Sequence, residues 1–190
     1  MQYPKDKNLT LIDGILENSF LVKYSPETGG IWLPREAYRD WVADRPRYEL
    51  DLLQVVQLLN KIDFQPAPQD SQAGICPETG RLMVRARVNT PRPFYVERSG
   101  PDGGIWLDYG EWEVLSILGL HLQIDSLFSS EWQAAFREVQ QLERQRQATI
   151  EKLGEDLAAQ VFQVGEALRA HPNGDFGVAY LMQQFDRGDY

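Results

Sequence analysis

Few residues in this sequence have side chains suited to covalent or acid–base chemistry. One cysteine, Cys76, and two histidines, His121 and His171, supply all the thiol and imidazole groups. Cys76 has no second cysteine for a CxxC motif and no histidine near it in sequence, so an activated thiolate is not indicated. His121 lies in the apolar run LGLHLQI, typical of a structural imidazole, and His171 precedes a proline at a predicted helix end. The sequence therefore predicts no catalytic residue and no enzyme.

The most specific charge pattern is RLMVRARV, residues 81–88, in which arginines alternate with aliphatic residues. Alternate side chains of a strand point to opposite faces, so three arginines are predicted to share one face and the aliphatic side chains the other. An arginine face suits phosphate or an acidic protein surface, although a merely solvated strand face is the alternative. Residues 81–98 hold five arginines and one glutamate. The predicted binding residues are Arg81, Arg85, Arg87, Arg92 and Arg98.

The arginines belong to one copy of an internal repeat. FLVKYSPETGGIWL, residues 20–33, aligns with FYVERSGPDGGIWL, residues 94–107, at an offset of 74. Upstream, YPKDKNL (3–9) aligns with CPETGRL (76–82) at an offset of 73. Each copy predicts a small unit in which two tight turns flank a pair of short strands, followed by Gly-Gly-Ile-Trp-Leu.

This layout resembles the TFIIB-type zinc ribbon family, whose pattern is Cys-Pro-x-Cys, a β-hairpin, and Cys-Pro-x-Cys-Gly-Gly-Ile-Trp-Leu-Asp. GGIWLDYGEWEVL (103–115) matches the end of that pattern closely, and SPETGGIWLPREAY (25–38) matches it less fully. The resemblance covers residues 3–41 and 76–115, and the whole chain is similar to tandem-ribbon proteins of cyanobacteria. It implies an α+β fold in which two ribbon-like hairpin units are joined to helices.

The positions that the resemblance assigns to zinc ligands hold other residues. Structural zinc takes four cysteine or histidine ligands, and these positions supply one sulfur in total, so no structural metal and no cofactor is expected. Asp, Ser and Thr accept backbone N–H bonds in tight turns, and we expect the turns to persist without metal. The positions are Tyr3, Asp6, Ser25 and Thr28 in the first unit, and Cys76, Thr79, Ser99 and Asp102 in the second.

Each unit also has a tryptophan just after paired glycines. Glycine permits close approach of another group to the backbone, and a large ring there can cover the hairpin. We therefore expect the tryptophans to be core residues of one compact body, with exposed anchors for a partner as the alternative. These predicted structural anchors are Gly29, Gly30, Trp32, Gly103, Gly104 and Trp106.

The segments around the units are predicted to be helical. LDLLQVVQLLNKI (50–62) is amphipathic, and a long polar helix, Glu131–Leu153, ends at Gly154. Two further helices carry apolar stripes that predict intramolecular core: Leu157, Val161, Val164 and Leu168, then Val178, Leu181, Met182 and Phe185. We divide the chain into a first ribbon (1–41), a helix and proline-rich linker (42–75), a second ribbon (76–120) and a helical C-terminal region (121–190).

Bulk composition narrows the function classes. The net charge is −9, from 19 basic and 28 acidic residues, whereas nucleic-acid binders usually carry a basic surface. No apolar run reaches the about 20 residues of a membrane span, and without a signal-like N-terminus a cytoplasmic location is expected. The sequence predicts a non-catalytic protein-binding or assembly module that uses the arginine face and the long helix to bind a protein or protein complex. The alternative is a nucleic-acid-associated factor in transcription or RNA metabolism; the oligomeric state stays open.

Overall fold

The structure, a computed structural model, describes residues 1–46, 49–100 and 103–186. The chain forms two compact units, Met1–Gln140 and Gln141–Tyr190. Helix accounts for about 49% and strand for about 19% of the chain, which confirms the predicted α+β class. Asp102, one of the predicted degenerate ligand positions, lies outside the described residues.

The elements follow in chain order. The strands are β1 (Gln2–Tyr3), β2 (Asp6–Thr10), β3 (Ile12–Leu16), β4 (Phe20–Tyr24), β5 (Ile31–Leu33), β6 (Val84–Val88), β7 (Phe94–Arg98) and β8 (Ile105–Leu107). The α-helices are α1 (Arg35–Ala43), α2 (Leu52–Leu59), α3 (Glu111–Ile117), α4 (Ser130–Leu153), α5 (Glu155–Ala170) and α6 (Gly174–Asp186). Short 3-10 helices span Pro68–Ser71, Leu120–Leu122 and Ile124–Phe128.

The two repeats form a single six-stranded sheet in the order β3-β4-β5-β8-β7-β6. The strands β5 and β8, which carry the two copies of Ile-Trp-Leu, pair antiparallel at its centre. Trp32 lies opposite Trp106 in this register, with Ile31 opposite Leu107 and Leu33 opposite Ile105. Each repeat therefore contributes three strands, and the halves are related by a local pseudo-twofold axis.

Glycines at the centre of the sheet make room for tryptophans of the other repeat. A Cβ atom on Gly30 would lie 2.3 Å from the Trp106 ring, and one on Gly104 would lie 2.4 Å from the Trp32 ring. Both rings are fully buried, so neither is an exposed anchor for a partner. The glycines of each copy thus allow packing between the copies.

Helices cover one face of the sheet. Because side chains alternate along each strand, Leu33 and Leu107 face the helices, whereas Trp32 and Trp106 face the opposite side. Helix α2 begins where the Asp51 carboxylate accepts the N–H groups of Leu53 and Gln54. As the predicted amphipathic pattern requires, its buried residues are Val55, Val56 and Leu59.

The ribbon β1–β2 and the segment around Cys76 pack on the opposite face. Tyr3, Leu11, Cys76 and Met83 join the two tryptophans in a second, smaller core there. The Tyr3 ring meets the Trp106 ring edge to face, with centroids 4.9 Å apart. Residues of the first repeat's opening turn thus cover a tryptophan of the second repeat.

The unit Gln141–Tyr190 contains the end of α4, α5 and α6. Ala158 is fully buried, and the Arg146 guanidinium lies 4.4 Å above the centre of the Phe162 ring. The prediction that the apolar stripes of α5 and α6 are core is wrong, since most of these side chains are 42–86% exposed. In the part of the chain that the structure describes, none of the helices is both long and apolar enough to cross a bilayer.

Candidate functional site

Arg85 of the predicted arginine face is held by residues of its own chain. Its Nε lies 3.3 Å from Glu97 Oε1 on the neighbouring strand, and its guanidinium lies 3.8 Å above the Tyr95 ring. Its terminal nitrogen also donates to the backbone carbonyl of Asp70. Arg85 therefore ties strand β6 to β7 and to the segment at Asp70.

Two more predicted binding arginines also have acidic partners. Arg98 is 3.0 Å from Asp125, and its guanidinium lies 4.2 Å above the Phe128 ring. Arg92 donates to Asp63 and to Gln65 in the linker. Because these acidic groups neutralise them, the five arginines do not form one open basic surface.

Arg81 and Arg87 are exposed, and within the described ranges no ion pair involves either of them. The predicted aliphatic face is incomplete. Ala86 and Val88 are buried, whereas Leu82 and Val84 are 66% and 55% exposed. Leu82 lies before strand β6, which begins at Val84, and Val84 itself is exposed although Ala86 and Val88 of the same strand are buried.

The degenerate ligand positions retain tight turns. The Ser25 hydroxyl oxygen accepts the N–H of Thr28 at 3.2 Å, and the Cys76 sulfur accepts the N–H of Thr79 at 3.4 Å. In both turns a glycine N–H closes the loop onto the carbonyl of the first residue, at 2.8 Å and 2.9 Å. A hydroxyl and a thiol thus accept equivalent backbone bonds in the two repeats.

Side chains at these positions also meet one another. Burial raises the pKa of the Cys76 thiol, but hydrogen bonds with Ser99 and Thr79 outweigh it and leave the pKa below its ordinary value. Burial raises the pKa of the Tyr3 phenol, against the effect of a hydrogen bond with Thr28. Asp6 instead accepts the backbone N–H of Asn8.

A buried ion network joins the β1–β2 ribbon to the second repeat. Lys5 Nζ lies 2.6 Å from Asp108 Oδ2 and 3.2 Å from Glu97 Oε1, and these side chains are at most 1% exposed. Glu97 Oε2 accepts the N–H of Gly74 at 2.9 Å, and Asp108 Oδ1 accepts the Trp106 indole N–H at 3.0 Å. No local pattern in the sequence predicts this network, because Lys5 lies about 90 residues or more before Glu97 and Asp108 along the chain.

Among the described residues, one group of acidic, histidine or cysteine side chains is close enough to share a cation. Oxygens of Asp70, Asp108 and Glu111 lie within 4.8 Å of one another, and all three residues are buried. Lys5 and the Trp106 indole already occupy both Asp108 oxygens, while backbone N–H groups occupy Asp70 Oδ1 and Glu111 Oε2. Of these three carboxylates, Asp108 is paired directly with the ammonium of Lys5.

Glu111 is the most perturbed of these acids. Burial raises its pKa well above the ordinary value, and the charges of Asp108 and Asp70 raise it further. Its Oε1 is buried without a hydrogen-bond partner. Burial and the neighbouring carboxylates therefore disfavour ionisation of Glu111 relative to an exposed glutamate.

Among the described residues of the first unit, neither His121 nor a cavity beside Tyr38 presents a histidine paired with a carboxylate, and His171 lies in the second unit. His121 packs between Trp41 and Trp112, with centroids 5.9 Å and 5.6 Å away, and burial lowers its pKa. His171 Nδ1 accepts a backbone N–H at 3.1 Å. The cavity, of about 550 Å³, lies beside Tyr38, whose hydroxyl donates to His121 O and accepts the Ile124 N–H. The Tyr38 hydroxyl and His171 thus make structural hydrogen bonds, whereas the His121 ring packs against aromatic side chains.

An open apolar groove runs between α5 and α6 in the second unit. We call it the hairpin groove; its volume is about 500 Å³. One side chain among its lining residues is polar, Gln160. The full lining is Leu157, Gln160, Val161, Val164, Gly165, Leu168, Val178, Leu181, Met182 and Phe185.

Periodicity revealed the stripes of the hairpin groove but not their exposure. A stripe repeating every three or four residues marks the face of a helix that packs against something. It does not say whether the cover comes from the same chain. Exposed apolar patches of this kind mark binding surfaces in folded proteins.

No protein-family model, curated protein or solved structure matches this chain.

Proposed function

We propose that this chain is a non-catalytic protein-binding module and that the hairpin groove is its docking surface. The observation that carries the proposal is the exposure of two facing apolar rows, from 42% at Leu181 to 86% at Phe185. Full burial of one such side chain contributes about 1.5–3 kcal/mol. A partner that covers several of them gains enough free energy to offset the entropy lost on association.

A second contact area is proposed at the edge of the second repeat. Arg81 and Arg87 are exposed there, with the exposed apolar side chains of Leu82 and Val84 in the same stretch of chain. Apolar contacts beside guanidinium groups suit a protein surface with carboxylates. The exposed Leu142 of the long helix α4 is a further candidate contact.

A protein partner is better supported than nucleic acid. Binding to a phosphate backbone depends on several uncompensated cationic groups on one surface. Arg85, Arg92 and Arg98 are instead paired with carboxylates of this chain, whose net charge is −9. A catalytic role lacks support as well, because the perturbed carboxyls Glu97 and Glu111 are fully buried.

The test is an affinity pull-down from native lysate, with and without nuclease. The groove variant Val161→Gln/Leu181→Gln polarises both rows without changing the charge. Its matched control is Leu21→Gln, a comparably exposed apolar residue on strand β4. A third variant, Arg81→Glu/Arg87→Glu, tests the second area.

We expect wild type to capture a partner protein whether or not nuclease is added. The groove variant should lose this partner, and Leu21→Gln should retain it. Recovery that depends on nucleic acid would replace the proposal by the nucleic-acid alternative. A protein retained by the groove variant but lost with the arginine variant would move the docking surface to the second repeat. Circular dichroism of each variant checks that the helices remain folded.

A further inference from the structure

We infer that the hairpin groove takes a basic amphipathic helix of another protein, with one large side chain of that helix seated over Gly165. The inference rests on the proposed function and names the chemistry of the partner. Three features of the groove carry it: its polarity, its glycine and the charge of its two helices.

The polarity of the groove selects a helix. An extended peptide presents unpaired backbone N–H and C=O groups, which need polar partners when they are buried. The groove offers one polar side chain, Gln160, whereas a helix satisfies its backbone internally. The row from Leu157 to Leu168 on α5 spans about 17 Å at about 1.5 Å per residue, which matches about three turns of a partner helix.

Among the described residues, no tight turn, close contact or positive φ requires a glycine at position 165. It lies inside α5, where glycine is about 1 kcal/mol less favourable than alanine. It is not among the glycines with positive φ, and a Cβ atom there would meet nothing within 4 Å. Because Gly165 lines the hairpin groove, the space above it is open to a side chain of the partner.

The charge of α5 and α6 selects a basic partner. Residues 155–186 contain five acidic residues and one arginine, a net charge of 1 − 5 = −4. The acidic residues are Glu155, Asp156, Glu166, Asp175 and Asp186. A symmetric contact with a second copy would place −4 against −4, and an anionic membrane would also be repelled. Lysines or arginines beside the apolar positions of a partner helix would instead be attracted.

The experiment measures binding of two labelled peptides to the full-length chain by fluorescence anisotropy. Both peptides have about 18 residues, long enough for several helical turns, and the same leucine positions. One carries lysine and the other glutamate at the remaining positions. The proteins compared are wild type, Val161→Gln/Leu181→Gln, Gly165→Ala and Gly165→Leu.

We expect the lysine peptide to bind wild type at least about tenfold more tightly than the glutamate peptide. The double glutamine variant, which keeps every charge, should weaken lysine-peptide binding about tenfold or more. Gly165→Leu should also weaken it, and Gly165→Ala less so, while thermal melting shows that neither destabilises the fold. Binding that is unchanged in the double variant is non-specific attraction to an acidic protein and would overturn the inference.

Other outcomes assign the groove to a different occupant. A concentration-dependent dimer in sedimentation, abolished by the double variant, would overturn the inference in favour of a second copy. Groove-dependent binding to vesicles of phosphatidylcholine and phosphatidylglycerol would overturn it in favour of a lipid surface. If the lysate partner depends on the groove but the lysine peptide does not bind, the inference fails and the proposed function stands.

Discussion

The two repeats share a strand framework but differ on the face that carries the tryptophans. Strand β4 of the first repeat aligns with β7 of the second, so Leu21 corresponds to Tyr95 and Lys23 to Glu97. Glu97 is fully buried, and Tyr95 lies beneath Arg85. Leu21 is 66% exposed, and Lys23 forms an ion pair of 2.5 Å with the exposed Asp13.

The comparison shows that a duplicated hairpin can be stabilised in different ways. In the second repeat, buried ion pairs of Lys5 with Glu97 and Asp108 hold the β1–β2 ribbon against the sheet. In the first, the corresponding strand positions stay at the surface, and stability comes from the helices on the other face. A lysine of the first repeat, Lys5, completes the network of the second, so the repeats depend on each other.

Removing the cation of the buried network should give the largest effect. Lys5→Met leaves Glu97 and Asp108 without their ammonium partner, and breaking a buried pair in this way costs about 3–5 kcal/mol. Lys23→Met is the matched change in the first repeat, where the pair with the exposed Asp13 is screened by solvent and should contribute little. Urea unfolding at pH 7 measures both. Equal losses would contradict the contrast between the repeats.

Alanine at the central glycines should strain both repeats. Gly104→Ala brings a Cβ atom to 2.4 Å from the Trp32 ring and 2.8 Å from the Leu33 carbonyl oxygen. Gly30→Ala meets the Trp106 ring at 2.3 Å, but the nearest backbone oxygen there is 3.4 Å away. Overpacking of this kind costs about 1–3 kcal/mol. Thermal unfolding should therefore rank Gly104→Ala as the more destabilising, and the reverse order would contradict this description of the sheet centre.

Glu111→Gln should change the dependence of stability on pH. The pKa of Glu111 is raised in the folded state, so its contribution is fully present below the unfolded pKa and is lost as pH rises towards the folded value. Glutamine does not ionise, so the variant should gain stability relative to wild type as pH rises above the ordinary pKa of a glutamate. Denaturant unfolding at a series of pH values measures the difference. The exposed Glu113→Gln, which removes a carboxyl group outside the buried network, is the control.

The smallest effect is expected on the outer side chains of β4 and β7. Tyr95→Leu removes the ring beneath Arg85 and should cost about 1 kcal/mol, the range of a partly desolvated cation–π contact. Leu21→Gln, at the corresponding exposed position, should stay within about 0.5 kcal/mol of wild type. Differential scanning calorimetry resolves the two. A larger loss for Leu21→Gln would show that the first repeat is covered in solution.

The sequence supported those features that depend on local pattern. The offset between the copies indicated two equivalent hairpins, and the periodicity of α2 predicted which of its residues are buried. Strand alternation did not predict the acidic partners of three arginines, because each partner lies 12–29 residues away along the chain. Arg85 pairs with Glu97, Arg92 with Asp63 and Arg98 with Asp125. Exposure of the α5 and α6 stripes depends on whether another element covers them, which periodicity does not encode.

The antiparallel pairing of β5 with β8 has a consequence for how the two copies diverged. Two separate, identical hairpins pairing through Ile-Trp-Leu would form a symmetric dimer. In such a dimer the same residue occupies the equivalent position in both subunits and must suit both. Joining them in one chain makes the association intramolecular, with an effective concentration on the order of millimolar. It also frees each copy from self-complementarity: one strand carries Lys23 at the surface, and its counterpart carries Glu97 in the interior. A tethered dimer of this kind can specialise its halves without losing the contact that holds them together.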